Sequence, residues 1–238
     1  MNSHITHIIP VQDANLTLDP NPSLSLDRRE SYWNRYYNNS ISAPETPSQF
    51  ACFIASEYPH ADQIYDIGCG NGRDSIFFSR LGYNVIGIDA SDQAINSCKS
   101  KYTNDFNEKS ELDFYCLSVS ETATARARYA ERDGSNRVVV YSRFFLHAIS
   151  EHEEFDFWKT AKSLASYPDD VVALEFRNES DSDRKKETGA HYRRYINPGH
   201  VVQRAELSGF KLVYEIHGRG FAKYKNDDAI VSRLVFER

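Results

Sequence analysis

Residues 64–91 read IYDIGCGNGRDSIFFSRLGYNVIGIDAS, and their order decides the fold. A short apolar run leads into a glycine-rich bend, then a helical pattern, then a second apolar run that ends in an acid. Gly68, Gly70 and Gly72 let the backbone turn sharply and come close to a ligand, which a Cβ would obstruct. Residues 74–81 suit a helix whose first N–H groups face that bend. Asp89 closes the apolar run 85–88, where a carboxylate can accept both hydroxyls of a ribose. The stretch is the first half of a nucleotide-binding α/β unit.

The glycine spacing discriminates between nucleotides. A dinucleotide fold places a pyrophosphate on a helix N-terminus behind G-x-G-x-x-G. Counted from Gly68, the third glycine of that pattern falls on Arg73. The chain instead carries Asp66-x-Gly68-x-Gly70-x-Gly72. A carboxylate at Asp66 repels a pyrophosphate and suits a cationic ligand or an amino group. With the distal Asp89, the motif resembles motif I of the class I S-adenosylmethionine-dependent methyltransferases, whose cofactor carries a sulfonium, an ammonium and a ribose. The resemblance is strong over residues 65–91 and weaker in the order of later elements. It implies S-adenosylmethionine as cofactor, held by Asp66, Gly68, Cys69, Gly70, Asn71, Gly72 and Asp74 on the first turn. Asp89, Ala90 and Ser91 would follow on the second.

With 238 residues the chain suits one α/β domain plus decoration. Its 34 acids against 28 bases give a net charge of −6, and the pI is about 5.8. That balance argues against a nucleic-acid partner, short of a local basic patch. No apolar run reaches the roughly 18 residues a membrane span needs, and the first residues lack the basic start and apolar centre of a signal peptide. Cys52, Cys69, Cys98 and Cys116 show neither CxxC nor metal-ligand spacing, so no metal is expected. Scattered cysteines read as reduced and point to a cytoplasmic location.

Residues 1–46 read as an N-terminal extension, polar up to about residue 27 and then aromatic at DRRESYWNRYYN, residues 27–38. Residues 47–238 read as the main domain. Pro47 and Ser48 suit the start of a helix. Strands are expected at 63–67, 85–88, 112–117, 137–141, 171–176, 210–216 and 230–236. Helices are expected between them, including an alanine-rich one at 120–130. An Asp133-Gly134 turn should precede the fourth strand. Alternation of this kind argues a doubly wound parallel sheet. The last two strands are joined by residues 218–228, which carry no helical pattern, so they should run antiparallel. The expected fold is α/β, a mostly parallel seven-stranded sheet with an antiparallel last strand and helices on both faces. This too resembles the methyltransferases, and it departs from the six parallel strands of dehydrogenase domains.

In open α/β sheets ligands lie beyond the carboxyl ends of the strands. Ser118 and Val119 follow the third strand, where the family often places an adenine contact. After the fourth comes YSRFFLH, residues 141–147, which the resemblance sets beside the reactive methyl, with Ser142 on the cofactor side. It lacks the Asp/Asn-Pro-Pro-Tyr/Phe sequence of amino-nitrogen methyltransferases, against methylation of DNA bases. If the turn enters a helix, Arg143 and His147 share a face. His147 could then act as general base, or simply satisfy a buried carbonyl, and Arg143 as a clamp on an anionic substrate. Arg177 follows the fifth strand, and HYRRY, residues 191–195, comes later. His191 is a second candidate base, with Tyr192, Arg193 and Arg194 at a substrate rim. Adjacent arginines in extended chain face opposite ways, so at most one of Arg193 and Arg194 should reach substrate. Arg219 and Lys223 in the final loop extend the rim, whose arginine forks suit carboxylate or phosphate.

Trp33 and Tyr37, with Tyr32 and Tyr36, could cover the cofactor as a lid or simply pack on the domain. Trp33-x-x-Tyr36 resembles a segment of thiopurine and tellurite-resistance methyltransferases. YSRFFLHAI, HYRRYI and GRGFAKY together resemble, less specifically, bacterial methyltransferases that accompany surface-polysaccharide assembly. The reading is therefore methyl transfer to oxygen of a polar, anionic small molecule or glycan end. The alternatives are another acceptor such as nucleic acid or protein, a non-catalytic cofactor-binding protein, or a nicotinamide oxidoreductase.

Overall fold

The computed structural model describes residues 26–38, 44–102, 110–124, 136–184, 186 and 191–238. The expected extension before residue 26, the second half of the 120–130 helix and the Asp133-Gly134 turn lie outside the described residues.

Two aromatic-bearing helices come first, α1 (Leu26–Asn38) and α2 (Gln49–Glu57). Then β1 (Gln63–Ile67), α3 (Arg73–Arg80), β2 (Asn84–Asp89), α4 (Asp92–Tyr102), β3 (Leu112–Cys116), α5 (Val119–Thr124) and β4 (Val138–Arg143) follow. The chain continues with α6 (Glu151–Leu164), β5 (Val171–Arg177), α7 (Pro198–Leu207), β6 (Lys211–Gly218), β7 (Lys223–Tyr224), β8 (Asp227–Asp228) and β9 (Val231–Glu237). Seven strands form one sheet in the order β3-β2-β1-β4-β5-β9-β6. The first five pair in parallel, and β9 is inserted antiparallel between β5 and β6. The expected architecture is the one observed.

Local signals place the helix ends. Ser48 caps α2 through the Ala51 N–H, and Ser150 forms a capping box with Glu153 at the start of α6. Asn197 caps α7, which opens on Pro198. Along each central strand successive side chains bury on opposite faces. Val138 and Val140 join Phe157, Trp158 and Ala161 of α6, and Val201 of α7. Val139 and Tyr141 join Phe50 and Ile54 of α2, Phe78 of α3 and Ile95 of α4. Two apolar layers thus clamp the sheet, each fully buried aliphatic side chain contributing roughly 1.5–3 kcal/mol.

One local expectation fails. Residues 143–147 do not enter a helix. Phe144 sits at φ 58° and only a short 3-10 turn follows at Leu146–Ala148. Arg143 is therefore the last residue of a strand and shares no helix face with His147. The final loop holds no helix, as expected, and within it Lys223–Tyr224 and Asp227–Asp228 pair as a small hairpin that borders the cavity.

Candidate active site

The parallel register brings the ends of β1, β2 and β4 side by side, and a cavity of about 480 Å³ opens there. That volume is within the range of small-molecule sites. Gly68, Cys69, Gly70 and Asn71 form its floor, with Asp66 beneath, Asp74 beside, and Asp89, Ala90, Ser91, Ser118 and Val119 along one wall.

The glycine bend is held by backbone bonds. The Gly68 and Cys69 N–H groups donate to the Ile88 carbonyl at 2.8 and 3.0 Å. The Gly70 N–H donates to Asp89 Oδ2 at 2.9 Å and the Ser91 N–H to Asp89 Oδ1 at 2.9 Å. Gly70 has φ 55°, and a Cβ there would overlap the Tyr37 ring and hydroxyl, so only glycine lets α1 close on the bend. Burial raises the Asp89 pKa against those two N–H bonds. Asp66 is more strongly affected. Burial first, then the Asp74 and Asp89 charges, push it up to about 8, although Ser75 Oγ donates to it at 2.6 Å.

Helix α1 lies across the cavity. Arg29 pairs with Glu153 at 2.7 Å and Asn34 Oδ1 accepts from Ser91 Oγ at 2.6 Å, so both walls hold it. Trp33, Tyr36 and Tyr37 line the cavity, and Tyr32 stacks on His191 at a ring separation of 4.4 Å.

Basic side chains also face the cavity. Arg73, Arg143, Arg177, Arg193 and Lys223 all line it. Arg143 Nε donates to Glu175 Oε1 at 2.7 Å, and Arg233 Nε donates to Glu175 Oε2 at the same distance. Arg73 reaches the Thr46 carbonyl at 3.3 Å and lies 3.7 Å from Asp74. Burial, then the neighbouring Arg143 charge, lowers its pKa.

Several expected site residues stand elsewhere or are otherwise engaged. Ser142 is buried and donates to the Ile67 carbonyl at 2.8 Å, tying β4 to β1 instead of lining the cavity. Gly72 leaves room for Cys98 and Phe114, behind the bend. Asp74 lines the cavity but spends its carboxylate on the Ser48 N–H and hydroxyl and on the Tyr141 hydroxyl, at 2.7–2.8 Å. Arg194 turns away from the rim. It donates to the carbonyls of Ile149 and Leu146 and pairs with Glu154 at 2.7 Å. Tyr192 lies under the Arg29 guanidinium, outside the cavity lining. Arg219 is exposed and pairs with Asp228 at 3.2 Å, so it is no part of the lining. Arg177 reaches the lining, but its guanidinium is committed to Asp181 at 2.6 Å and Asp227 at 2.5 Å, which latches the hairpin onto β5.

The histidines also differ from expectation. His147 Nδ1 accepts the Arg177 N–H at 3.2 Å, so the neutral ring carries its proton on Nε2. Burial, followed by Arg193, Arg177, His191 and Arg194, holds its pKa well below the usual value. A ring in that state donates and is a poor proton acceptor. His191 Nε2 lies 3.0 Å from Arg193 Nη2, which can only donate, so that nitrogen accepts.

Sequence reasoning missed Arg73, Phe144, Phe145, Glu153, Asp227 and Tyr224, all in the lining. Arg73 follows the last glycine of the bend directly and could have been read from that position. Glu153 and Asp227 enter only through long-range packing.

Residues 64–166 match the methyltransferase domain family. The chain matches none of the curated proteins by sequence. Its fold is similar to that of 1,6-didemethyltoxoflavin-N1-methyltransferase from Burkholderia thailandensis, solved with 1,6-didemethyltoxoflavin and S-adenosylhomocysteine, at 13% identity and TM-score 0.62 over 88% of this chain and 86% of that one. It is also similar to the magnesium protoporphyrin IX methyltransferase of Synechocystis with bound S-adenosylhomocysteine, at 15% identity and TM-score 0.55 over 90% and 87%. A TehB-like S-adenosylmethionine-dependent methyltransferase from Corynebacterium glutamicum matches at 16% identity and TM-score 0.57 over 89% and 98%. Residues 64–166 thus match a methyltransferase domain, and the chain shares its fold with S-adenosylmethionine-dependent methyltransferases.

Proposed function

We propose that the protein methylates an oxygen atom of an anionic small molecule bound among the basic side chains that line the cavity. S-adenosylmethionine, when bound, supplies an activated methyl group, so the protein chiefly binds and aligns. The donor set fits such a cofactor. Asp89 offers a half-buried carboxylate at the end of β2, Gly68 to Asn71 offer close backbone approach, and Asp66 offers a buried acid suited to an amino group. Ser91, Ser118 and Val119 would border the base, and Trp33 and Tyr37 would cover it.

The observation that carries the acceptor class is the group of basic side chains that line the cavity. Asp89 closes β2, whereas Arg143 closes β4, and Arg73, Arg193 and Lys223 line the cavity with it. A cationic acceptor would be repelled there, and an anion would be held by guanidinium hydrogen bonds worth roughly 1.5–3 kcal/mol each. A glycan end qualifies if it carries an acid.

Labelled methyl transfer from S-adenosylmethionine into paired acceptors tests the reading. Small acids should be methylated at least about tenfold faster than their uncharged amides or alcohols, and Arg143→Gln should erase the preference. Equal rates for acids and amines would overturn it.

A further inference from the structure

The acceptor class can be narrowed, on the reading that this cavity transfers a methyl group. A hydroxyl acceptor must lose a proton, and a base within reach must take it. The histidines and carboxylates among the described lining residues are already engaged in hydrogen bonds. His147 uses Nδ1 on the Arg177 N–H and holds its proton on Nε2. His191 Nε2 accepts from Arg193. Asp74 accepts three hydrogen bonds from Ser48 and Tyr141. Glu153 Oε2 accepts from Arg29 and from the Ser150 N–H and hydroxyl, and Asp227 accepts from Arg177. Asp66 accepts from the Ser75 hydroxyl, and Asp89 from the Gly70 and Ser91 N–H groups.

What the lining supplies instead is positive charge. Arg73, Arg143 and Arg233 share two carboxylates, Asp74 and Glu175, by the contacts at 3.7, 2.7 and 2.7 Å. Among these five groups one positive charge is left over, at Arg73 and Arg143, while Arg193 and Lys223 line the cavity outside this cluster. A single surplus charge matches a monoanion. A phosphate monoester, close to a dianion at neutral pH, is matched less well. A carboxylate is ionised at neutral pH without help from the protein.

We propose that the methyl acceptor is a carboxylate, seated on Arg73 and Arg143, and that the product is its methyl ester. A carboxylate oxygen forms the new bond to the methyl carbon as the carbon–sulfur bond breaks. That bond's electron pair stays on sulfur, whose positive charge and the carboxylate's negative charge both disappear. No proton moves, so no base is required. The neutral His147 Nε2–H is a donor, compatible with an oxyanion and useless to a hydroxyl.

Two measurements on the full chain test this. The first is calorimetric titration of the S-adenosylhomocysteine complex with benzoate, benzamide, benzyl alcohol and phenyl phosphate. Benzoate should bind at least about tenfold tighter than the other three, and Arg143→Gln or Arg73→Gln should remove that margin. A preference for benzyl alcohol or phenyl phosphate, or no discrimination, overturns the assignment. The second is incubation with methyl-labelled S-adenosylmethionine and a small-molecule cell extract. Label should be released as methanol by alkali, as from an ester, and alkali-stable label overturns the proposal. S-adenosylhomocysteine binding with no label transferred overturns the acceptor assignment alone. Failure to bind S-adenosylhomocysteine overturns the methyltransferase reading beneath it.

Discussion

The carboxylate of Asp89 accepts the Gly70 N–H at 2.9 Å, so the acid that closes β2 also fixes the glycine bend that follows β1. The same carboxylate accepts the Ser91 N–H through its other oxygen. One side chain therefore shapes the bend and faces the cavity. Asp89→Ala loses hydrogen bonds to a charged acceptor, worth roughly 1.5–3 kcal/mol each. Affinity for S-adenosylhomocysteine should fall by at least about tenfold, measured by calorimetry. An unchanged affinity would show that Asp89 makes no contact with the cofactor.

Asp66 predicts a pH dependence with a definite sign. Its pKa is about 8 in the folded chain against an ordinary 3.8. The folded state thus holds more protons between those values. On this group's account stability is fully present below about pH 4 and falls as pH rises towards 8. Asp66→Asn removes the burden. Its melting temperature should match the parent near pH 4 and exceed it at pH 8.5. Equal melting temperatures at both pH values would show that Asp66 ionises without penalty.

A ligand amino group beside Asp66 should draw off that proton. Titrating S-adenosylhomocysteine at pH 7 in buffers of different ionisation enthalpy should therefore show close to one proton released by the parent and none by Asp66→Asn. Proton uptake by the parent would contradict the placement of the amino group.

The geometry of His147 makes it a structural donor. His147→Asn keeps an acceptor for the Arg177 N–H and should keep turnover within about tenfold. A general base would cost about 10²- to 10⁴-fold on removal. A loss in that range, together with a new pH limb in kcat, would restore His147 as the base.

Arg193 and Arg194 should separate cleanly. Arg194 holds two carbonyls and Glu154, and Arg204 is left on Glu154 at 2.8 Å if it goes. Arg194→Gln should therefore cost about 1–3 kcal/mol of stability, read by urea denaturation, with the acceptor KM little changed. Arg193→Gln should raise the acceptor KM with a smaller stability loss. The reverse pattern would place Arg194 on the substrate.

The fold was legible because its signals are local. The Asp66-to-Asp89 stretch, and Pro47 and Ser48 at a helix start, each depend on residues close in sequence. The antiparallel β9 followed from a loop without helical periodicity. The site was legible only where it sits on those signals, at the glycine bend and the end of β2. Which of two adjacent arginines faces the cavity depends on Glu154, forty positions upstream of Arg194. The helix expected at 143–147 fails because Phe144 takes a left-handed backbone, with its N–H on the Glu175 carbonyl of the neighbouring strand. Pattern within a segment carries no record of such distant partners.

The central claim is that the acid-flanked glycine bend holds S-adenosylmethionine. Isothermal titration of the purified chain with S-adenosylhomocysteine tests it most directly. One equivalent should bind, with an affinity that collapses in Asp89→Ala, while NAD gives no heat. Absence of binding, or binding of NAD in its place, would contradict the account.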